Sequence, residues 1–118
     1  LKRKKMHELS LAENMLEIIQ DRAKSEHFEN VTKVTLEIGK LSHVEADAMA
    51  FCFDAVMAGT IAGKAKLEII QTEGMGKCRQ CEHTNLIAHF YDPCANCGEF
   101  GLKIVQGDQI RIKYLEVV

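Results

Sequence analysis

The chain has no hydrophobic run long enough to cross a membrane. Its uncharged stretch at residues 55–63 is far shorter than the roughly 20 residues that a membrane-spanning helix needs. The apolar core of a signal peptide is also missing, because basic residues fill positions 2–5. We therefore expect a cytoplasmic protein with no membrane association. We interpret residues 1–5 as an expression remnant or a disordered tail, with a nucleic-acid-binding arm as the alternative.

A strong excess of charge and the common catalytic motifs are absent as well. The 15 basic and 17 acidic residues give a formal net charge of −2, which provides no general attraction to nucleic acid. We find no Walker loop, no Ser/His/Asp or Cys/His catalytic arrangement and no paired-acid site. The sequence therefore predicts a protein that is not itself an enzyme.

Two segments have the pattern of amphipathic helices. Apolar side chains recur with a period near 3.6 over residues 9–24, which predicts a first helix. Residues 42–45, Ser-His-Val-Glu, have the form of a capping box, so a second helix is expected to follow to about residue 57. The predicted buried face of the second helix consists of Val44, Ala48, Phe51, Cys52, Ala55 and Val56.

Three segments alternate apolar and polar side chains as strands do, at residues 31–38, 66–72 and 109–118. The last strand most simply rejoins the first sheet, which makes the segment between the glycine-containing turns an insertion. The predicted fold class is α+β, with two helices on a small mixed sheet and an inserted zinc-ribbon module. Residues 6–74 plus 107–118 would form the α+β domain, and residues 75–106 the ribbon.

The ribbon is predicted from two Cys-x-x-Cys pairs, Cys78 with Cys81 and Cys94 with Cys97, which twelve residues separate. Two residues between thiolates allow a tight turn to present both sulfurs to one ion, and two such turns complete a tetrahedral zinc site. Gly98 follows the second pair, where a positive φ angle is often needed. Because four thiolates leave no open coordination position, we predict a structural zinc.

Several alternatives to this interpretation stay open. Each pair could be a redox dithiol, and His83 or His89 could replace one cysteine as a zinc ligand. Zinc ribbons often bind nucleic acid, so a nucleic-acid-binding or transcription accessory module is the main alternative function. The charges oppose it, since the basic and acidic residues of 75–106 cancel and zinc with four thiolates adds about two negative charges. A zinc enzyme would require an open coordination position.

The residues before the first predicted helix are Met6, His7 and Glu8. Considered alone, His7 is an exposed histidine, and Glu8 suits the positive end of a helix dipole. The sequence as a whole, however, resembles the HypA/HybF family of hydrogenase nickel-incorporation proteins over residues 6–118. The resemblance rests on both cysteine pairs and on Met6-His7-Glu8-Leu9-Ser10-Leu11, Leu36-Glu37-Ile38-Gly39, Val44-Glu45, Phe51-Cys52-Phe53 and Gly59-Thr60.

The resemblance implies a nickel metallochaperone with a structural zinc ion. Such proteins pass Ni²⁺ to the large subunit of [NiFe] hydrogenase, work with a partner GTPase, and in some bacteria also serve urease maturation. The family pattern places the nickel ligand at His7, with Met6 and Glu8 beside it and Glu45 as a further carboxylate, although the capping box also explains Glu45. In this chain five residues precede Met6, so the α-amine belongs to Leu1.

Overall fold

The computed structural model describes residues 2–118, with side chains from His7 onward. The helices and strands follow in the order α1 (Lys2–Glu26), β1 (Val31–Gly39), a 3₁₀ helix (Lys40–Ser42), α2 (Ala46–Met57), β2 (Lys66–Thr72), β3 (Gly74–Lys77), β4 (Thr84–Ile87), β5 (Lys103–Gln106) and β6 (Ile110–Val117). One sheet has the order β2-β1-β6 and the other β4-β3-β5. The predicted fold class is confirmed, and the last strand does rejoin the first sheet.

Helix α1 begins at Lys2, whereas the sequence pattern predicted a start at residue 9. Residues 2–5, which we expected to form a tail, are part of the helix, and His7 and Glu8 therefore lie inside it. No glycine or proline interrupts this segment, and its lysine, arginine, methionine and glutamate residues are good helix formers. The predicted apolar face is confirmed at Ala12, Met15 and Ile19, which are buried.

The buried face of α2 differs from the predicted one. Met49, Phe53 and Met57 are the buried residues of the helix, spaced four apart, and α2 packs against α1. Phe51 is 77% exposed, although it was predicted to be buried. Nearly every position of α2 is apolar, so the periodicity does not select one face, and packing against α1 decides it.

The predicted capping box does not start α2. The Ser42 hydroxyl donates a hydrogen bond of 2.6 Å to the Gly39 carbonyl oxygen and so belongs to the preceding 3₁₀ helix. His43 ends that helix in the left-handed conformation, with φ = 58°. Helix α2 begins only at Ala46, after Glu45, whose side chain makes no capping hydrogen bond. Local hydrogen bonding by the serine thus competes with its role as a helix cap.

The chain divides into two compact units. Unit 1 contains the chain up to Leu36 together with Val44–Ile69 and Ile112–Val118. Its core includes the buried side chains of Val34 and Leu36. Unit 2 consists of Glu37–His43 and Ile70–Arg111, so the predicted ribbon at residues 75–106 lies inside a larger unit. No helix within residues 2–118 has both the length and the apolar character needed to cross a bilayer.

Unit 2 contains the three-stranded ribbon sheet. Strand β3 pairs antiparallel with β4 in a regular register and with β5 in a register that shifts between Met75 and Gly76. Gly107 ends the ribbon with φ = +92°, and a side chain there would collide with the Glu73 carbonyl oxygen. The predicted turn at Gly107 therefore depends on glycine. The core of unit 2 consists of Leu41, Cys78, Ile87, Cys94 and Leu102.

Candidate metal centre

The four cysteines of the two predicted pairs come together in unit 2. Their ligand atoms all lie within 4.8 Å of one another. The Sγ atoms of Cys78 and Cys97 are 3.5 Å apart, and those of Cys81 and Cys94 are 3.6 Å apart. A disulfide requires about 2.05 Å, whereas four sulfurs around zinc at about 2.3 Å lie about 3.8 Å from one another. The cluster therefore fits a tetrahedral zinc site.

Each pair occupies a tight loop with the same hydrogen-bonding pattern. In the first loop the Cys78 amide donates to the His83 carbonyl oxygen (2.9 Å), and the Glu82 amide donates to the Cys78 carbonyl oxygen (3.0 Å). In the second loop the Cys94 amide donates to the Glu99 carbonyl oxygen (2.8 Å), and the Gly98 amide donates to the Cys94 carbonyl oxygen (2.8 Å). The first cysteine of each loop is buried and the second is exposed.

Equivalent positions in the two loops adopt positive φ angles. Gly98 has φ = 80°, as the sequence predicted, and Glu82 at the matching position has φ = 62°. An L-residue in this conformation costs roughly 1–2 kcal/mol, which glycine avoids. The first loop therefore retains backbone strain that the second loop does not.

Asn85 connects the two loops and was not recognised as a site residue from the sequence. Its side chain is 3% exposed. The Oδ1 atom accepts a hydrogen bond of 2.8 Å from the Ala95 amide in the second loop. The Nδ2 atom donates to the carbonyl oxygens of His83 (3.2 Å) and Gly76 (3.4 Å). The one sequence signal is that a polar residue occupies the inward position of β4, two residues before buried Ile87.

The environment of the cluster lowers the pKa of two cysteine thiols and raises that of a third. Hydrogen bonding from the Cys81 amide, the largest effect, lowers the pKa of Cys78. Burial alone would raise the pKa of Cys94, but hydrogen bonds from the Cys97 amide and Asn85 outweigh it and lower the value to about 6. The Glu99 amide favours the Cys97 thiolate, yet the neighbouring thiols and burial raise the pKa of Cys97 to about 12.

A zinc ion held by these four sulfurs would have a structural role. Four thiolates fill the coordination sphere of zinc and leave no position for water or substrate. The amides of Gln80 and Cys81 donate hydrogen bonds to the Cys78 sulfur, at 3.4 and 3.5 Å, and would offset part of the negative charge of the thiolates. His83 and His89, the alternative ligands, are not members of the cluster.

Where the structure describes their side chains, the residues predicted to bind nickel do not form a cluster as the four cysteines do. His7 is exposed on α1, Glu8 is 1% exposed, and Glu45 is exposed at the N-terminus of α2. The side chain of Met6 lies outside the described residues. Among the side chains from His7 onward, only the cysteine cluster brings three or more potential metal ligands together, so His7, Glu8 and Glu45 do not form such a group.

Comparisons with known proteins identify the relationship that this arrangement suggests. The family described as "Hydrogenase/urease nickel incorporation, metallochaperone, hypA" matches residues 6–117. The chain is 46% identical over 112 residues to a "Hydrogenase maturation factor HypA" of Rhodopseudomonas palustris strain BisB5, covering 95% of this chain and 99% of the relative. A protein of the same description from Azotobacter chroococcum mcd 1 is 42% identical over the same shares of both chains.

Solved structures agree with the fold. The solution structure of the Ni metallochaperone HypA from Helicobacter pylori has a TM-score of 0.73 at 22% identity, covering 94% of this chain and 97% of the other. A second HypA solution structure has a TM-score of 0.74 at 23% identity and covers 96% and 97%. Given the family match and the near full-length similarity to relatives above 40% identity, the chain belongs to the HypA family of hydrogenase and urease nickel-incorporation metallochaperones.

Proposed function

We propose that this protein binds Ni²⁺ through His7 and delivers it to the large subunit of [NiFe] hydrogenase during maturation. In this proposal a partner GTPase drives the transfer in the cytoplasm, urease maturation proteins are a second destination, and the protein itself catalyses no reaction. Membership of the family supports the assignment of the cargo. The cysteine cluster, whose coordination sphere zinc would fill, supports a separate nickel site made from nitrogen and oxygen atoms.

The structural observation that best supports the site is the carboxylate of Glu8. Both of its oxygens are buried and have no hydrogen-bond partner among the residues that the structure describes. An unpartnered buried carboxylate is costly, and such groups are usually retained for binding or catalysis. A divalent cation held beside it would offset the charge, and the neighbouring His7 imidazole is exposed and able to receive the ion.

Nickel binding by these residues requires the start of α1 to open. Consecutive helical residues point in different directions, so the side chains of His7 and Glu8 cannot face one ion while the helix is intact. In a helix that begins at Lys2, the amides of His7 and Glu8 lie beyond the first four and donate to carbonyl oxygens within the helix. Unwinding these turns frees both amide nitrogens and allows Glu8 to turn outward. Glu45 is kept as an additional candidate ligand.

Few protein ligands suit a protein that must release its cargo. Ni²⁺ accepts imidazole and backbone nitrogen in planar or octahedral sets, with water or a carboxylate filling the remaining positions. An exposed site of this kind lets a partner approach the ion and replace the ligands one at a time. In this proposal the cysteine cluster is a structural zinc site, and His7 is the residue that binds and releases nickel.

Nickel titration of zinc-loaded protein tests this proposal. We expect His7→Ala to remove the tightest nickel-binding event while zinc content and the circular dichroism spectrum stay unchanged. His27→Ala is the matched control, because His27 is also exposed and lies just after α1. A chain that begins at Met6 should bind nickel more tightly, since its His7 and Glu8 amides fall among the first four of the helix. Equal nickel binding by the wild-type and His7→Ala proteins would refute the assignment of His7.

A further inference from the structure

A second group of imidazole side chains lies on unit 2, outside the cysteine cluster. His43 and His89 come from segments far apart in the sequence, and their ring centres are 6.0 Å apart with planes inclined by 25°. On the other side of His89, the ring of Tyr91 stacks at 4.9 Å with an angle of 16°. All three side chains are exposed to solvent. Three rings thus form a continuous exposed stack with the His89 imidazole in the middle.

The position of His89 is fixed by Asp92. The Oδ2 atom of Asp92 accepts hydrogen bonds from the amides of Ala88 (2.8 Å) and His89 (3.1 Å), which hold the carboxylate in place. Its Oδ1 atom lies 3.5 Å from Nδ1 of His89. A carboxylate beside Nδ1 favours the proton on that nitrogen and leaves the lone pair on Nε2, as is common in histidines that bind metals.

His43 is held equally firmly from its own side. It ends the 3₁₀ helix with φ = 58°, and its amide donates to the Lys40 carbonyl oxygen. Leu41, two residues earlier, is 1% exposed within the core of unit 2. The backbone of His43 is therefore anchored, while its exposed ring is free to rotate about the Cβ–Cγ bond.

We propose that His43 and His89 form a second Ni²⁺ site, separate from both the cysteine cluster and His7. An ion bound to one nitrogen of each ring at about 2.1 Å would hold the ring centres roughly 4.5–6.5 Å apart, depending on the angle at the metal. The observed separation of 6.0 Å falls in this range, so the proposal requires reorientation of the exposed rings but no large change in the distance between them.

The chemistry of the pair defines the ion that it would take. Two neutral imidazoles prefer Ni²⁺, Cu²⁺ or Zn²⁺ over Mg²⁺ or Ca²⁺, which require oxygen ligands. Water completes the coordination, because the pair offers fewer ligands than a closed site uses. The site is open and rapidly exchanging, and Asp92 acts as a positioning residue for His89. It provides unit 2 with a place to hold nickel loosely that does not depend on the His7 site.

The experiment uses the zinc-loaded His7→Ala protein, so that binding at His7 does not contribute, and titrates it with NiCl₂. We expect one residual nickel equivalent, which His43→Phe and His89→Phe each abolish. Phenylalanine preserves the stacked rings but supplies no lone pair, so loss of nickel without loss of structure separates a ligand from a packing role. Asp92→Asn should weaken this binding by about 10–100-fold, as changes beside a metal-bound histidine do.

A matched control and a direct readout complete the test. His83→Phe alters another exposed ribbon histidine and should leave the residual equivalent unchanged. Side-chain NMR signals of His43 and His89 should broaden together as nickel is added, ahead of those of His27. The proposal is overturned if the His7→Ala protein binds no nickel, or if His43→Phe binds as much as its parent. Failure of the His7 assignment would appear differently, as equal nickel stoichiometry before and after His7→Ala.

Discussion

Asn85 is expected to control how tightly the cysteine cluster holds zinc, although it is not itself a ligand. Its buried side chain hydrogen-bonds to the second cysteine loop through Ala95 and to the first loop through the His83 carbonyl oxygen. A zinc ion bound by the four cysteines would bring these loops together, and the binding energy of a structural zinc site is also folding energy. Replacing Asn85 with alanine therefore removes a connection that pre-organises both halves of the site.

The magnitude follows from the three hydrogen bonds of the Asn85 side chain. The 2.8 Å bond from the Ala95 amide is the shortest, and the bonds to His83 and Gly76 are 3.2 and 3.4 Å long. A typical hydrogen bond contributes about 1 kcal/mol net, and the longest bond less. We therefore expect a loss of about 2 kcal/mol, which corresponds to about 30-fold weaker zinc binding.

Competition with a chromophoric zinc chelator measures this difference directly. Asn96→Ala is the matched control, because Asn96 is an exposed residue of the same type whose Nδ2 atom makes a single 3.4 Å contact with the Cys81 sulfur. We expect this variant to lose no more than about a few-fold in zinc affinity. Cobalt substitution should show four sulfur ligands in both variants, since neither change removes a ligand.

Two results would refute the reasoning about Asn85. One is a zinc affinity of Asn85→Ala equal to that of the unaltered protein, which would mean that the loops are organised without this residue. The other is an effect of Asn96→Ala as large as that of Asn85→Ala, which would assign the effect to contacts with sulfur rather than to the connection between the loops.

Three further predictions concern the hydrophobic core, the two cysteine loops and the protons released when zinc binds. Phe53→Ala should lower the free energy of unfolding by about 3–5 kcal/mol, as measured by chemical denaturation. Phe51→Ala, at a site 77% exposed, should change the same free energy little. Glu82→Gly should raise zinc affinity and Gly98→Ala should lower it, each by about 1 kcal/mol in chelator competition, because both positions have positive φ. Zinc uptake near neutral pH should release fewer than four protons, because the pKa of Cys94 is lowered to about 6 and its thiol is already ionised. Calorimetry in buffers of different ionisation enthalpy counts these protons, and a count of four would contradict the prediction.

The sequence was most informative where one local pattern permits a single structure. The bounds of the strands at Val31–Gly39 and Lys66–Thr72 match the predicted segments almost residue for residue, and Val34, Leu36 and Ile38 are buried as the alternation predicts, although Thr35 between them is buried too. Alternation is a local signal that specifies both the strand and its buried face. The buried face of helix α2 was harder to predict, because apolar residues surround the helix. Only packing against α1 selects Met49, Phe53 and Met57 as the buried residues. The start of α1 was misplaced because residues 2–8 contain no signal that prevents helix formation.

The sequence by itself determined the cysteine site, because two Cys-x-x-Cys pairs place four thiolates on tight turns whatever the surrounding fold. It also singled out His7 and Glu8 through a resemblance that the family match supports over residues 6–117. Only the tertiary structure placed Asn85 between the loops, buried the Glu8 carboxylate without a partner in the described part of the chain, and stacked His43 on His89. Each of these features depends on residues distant in the sequence, and such contacts are set by packing rather than by any local pattern.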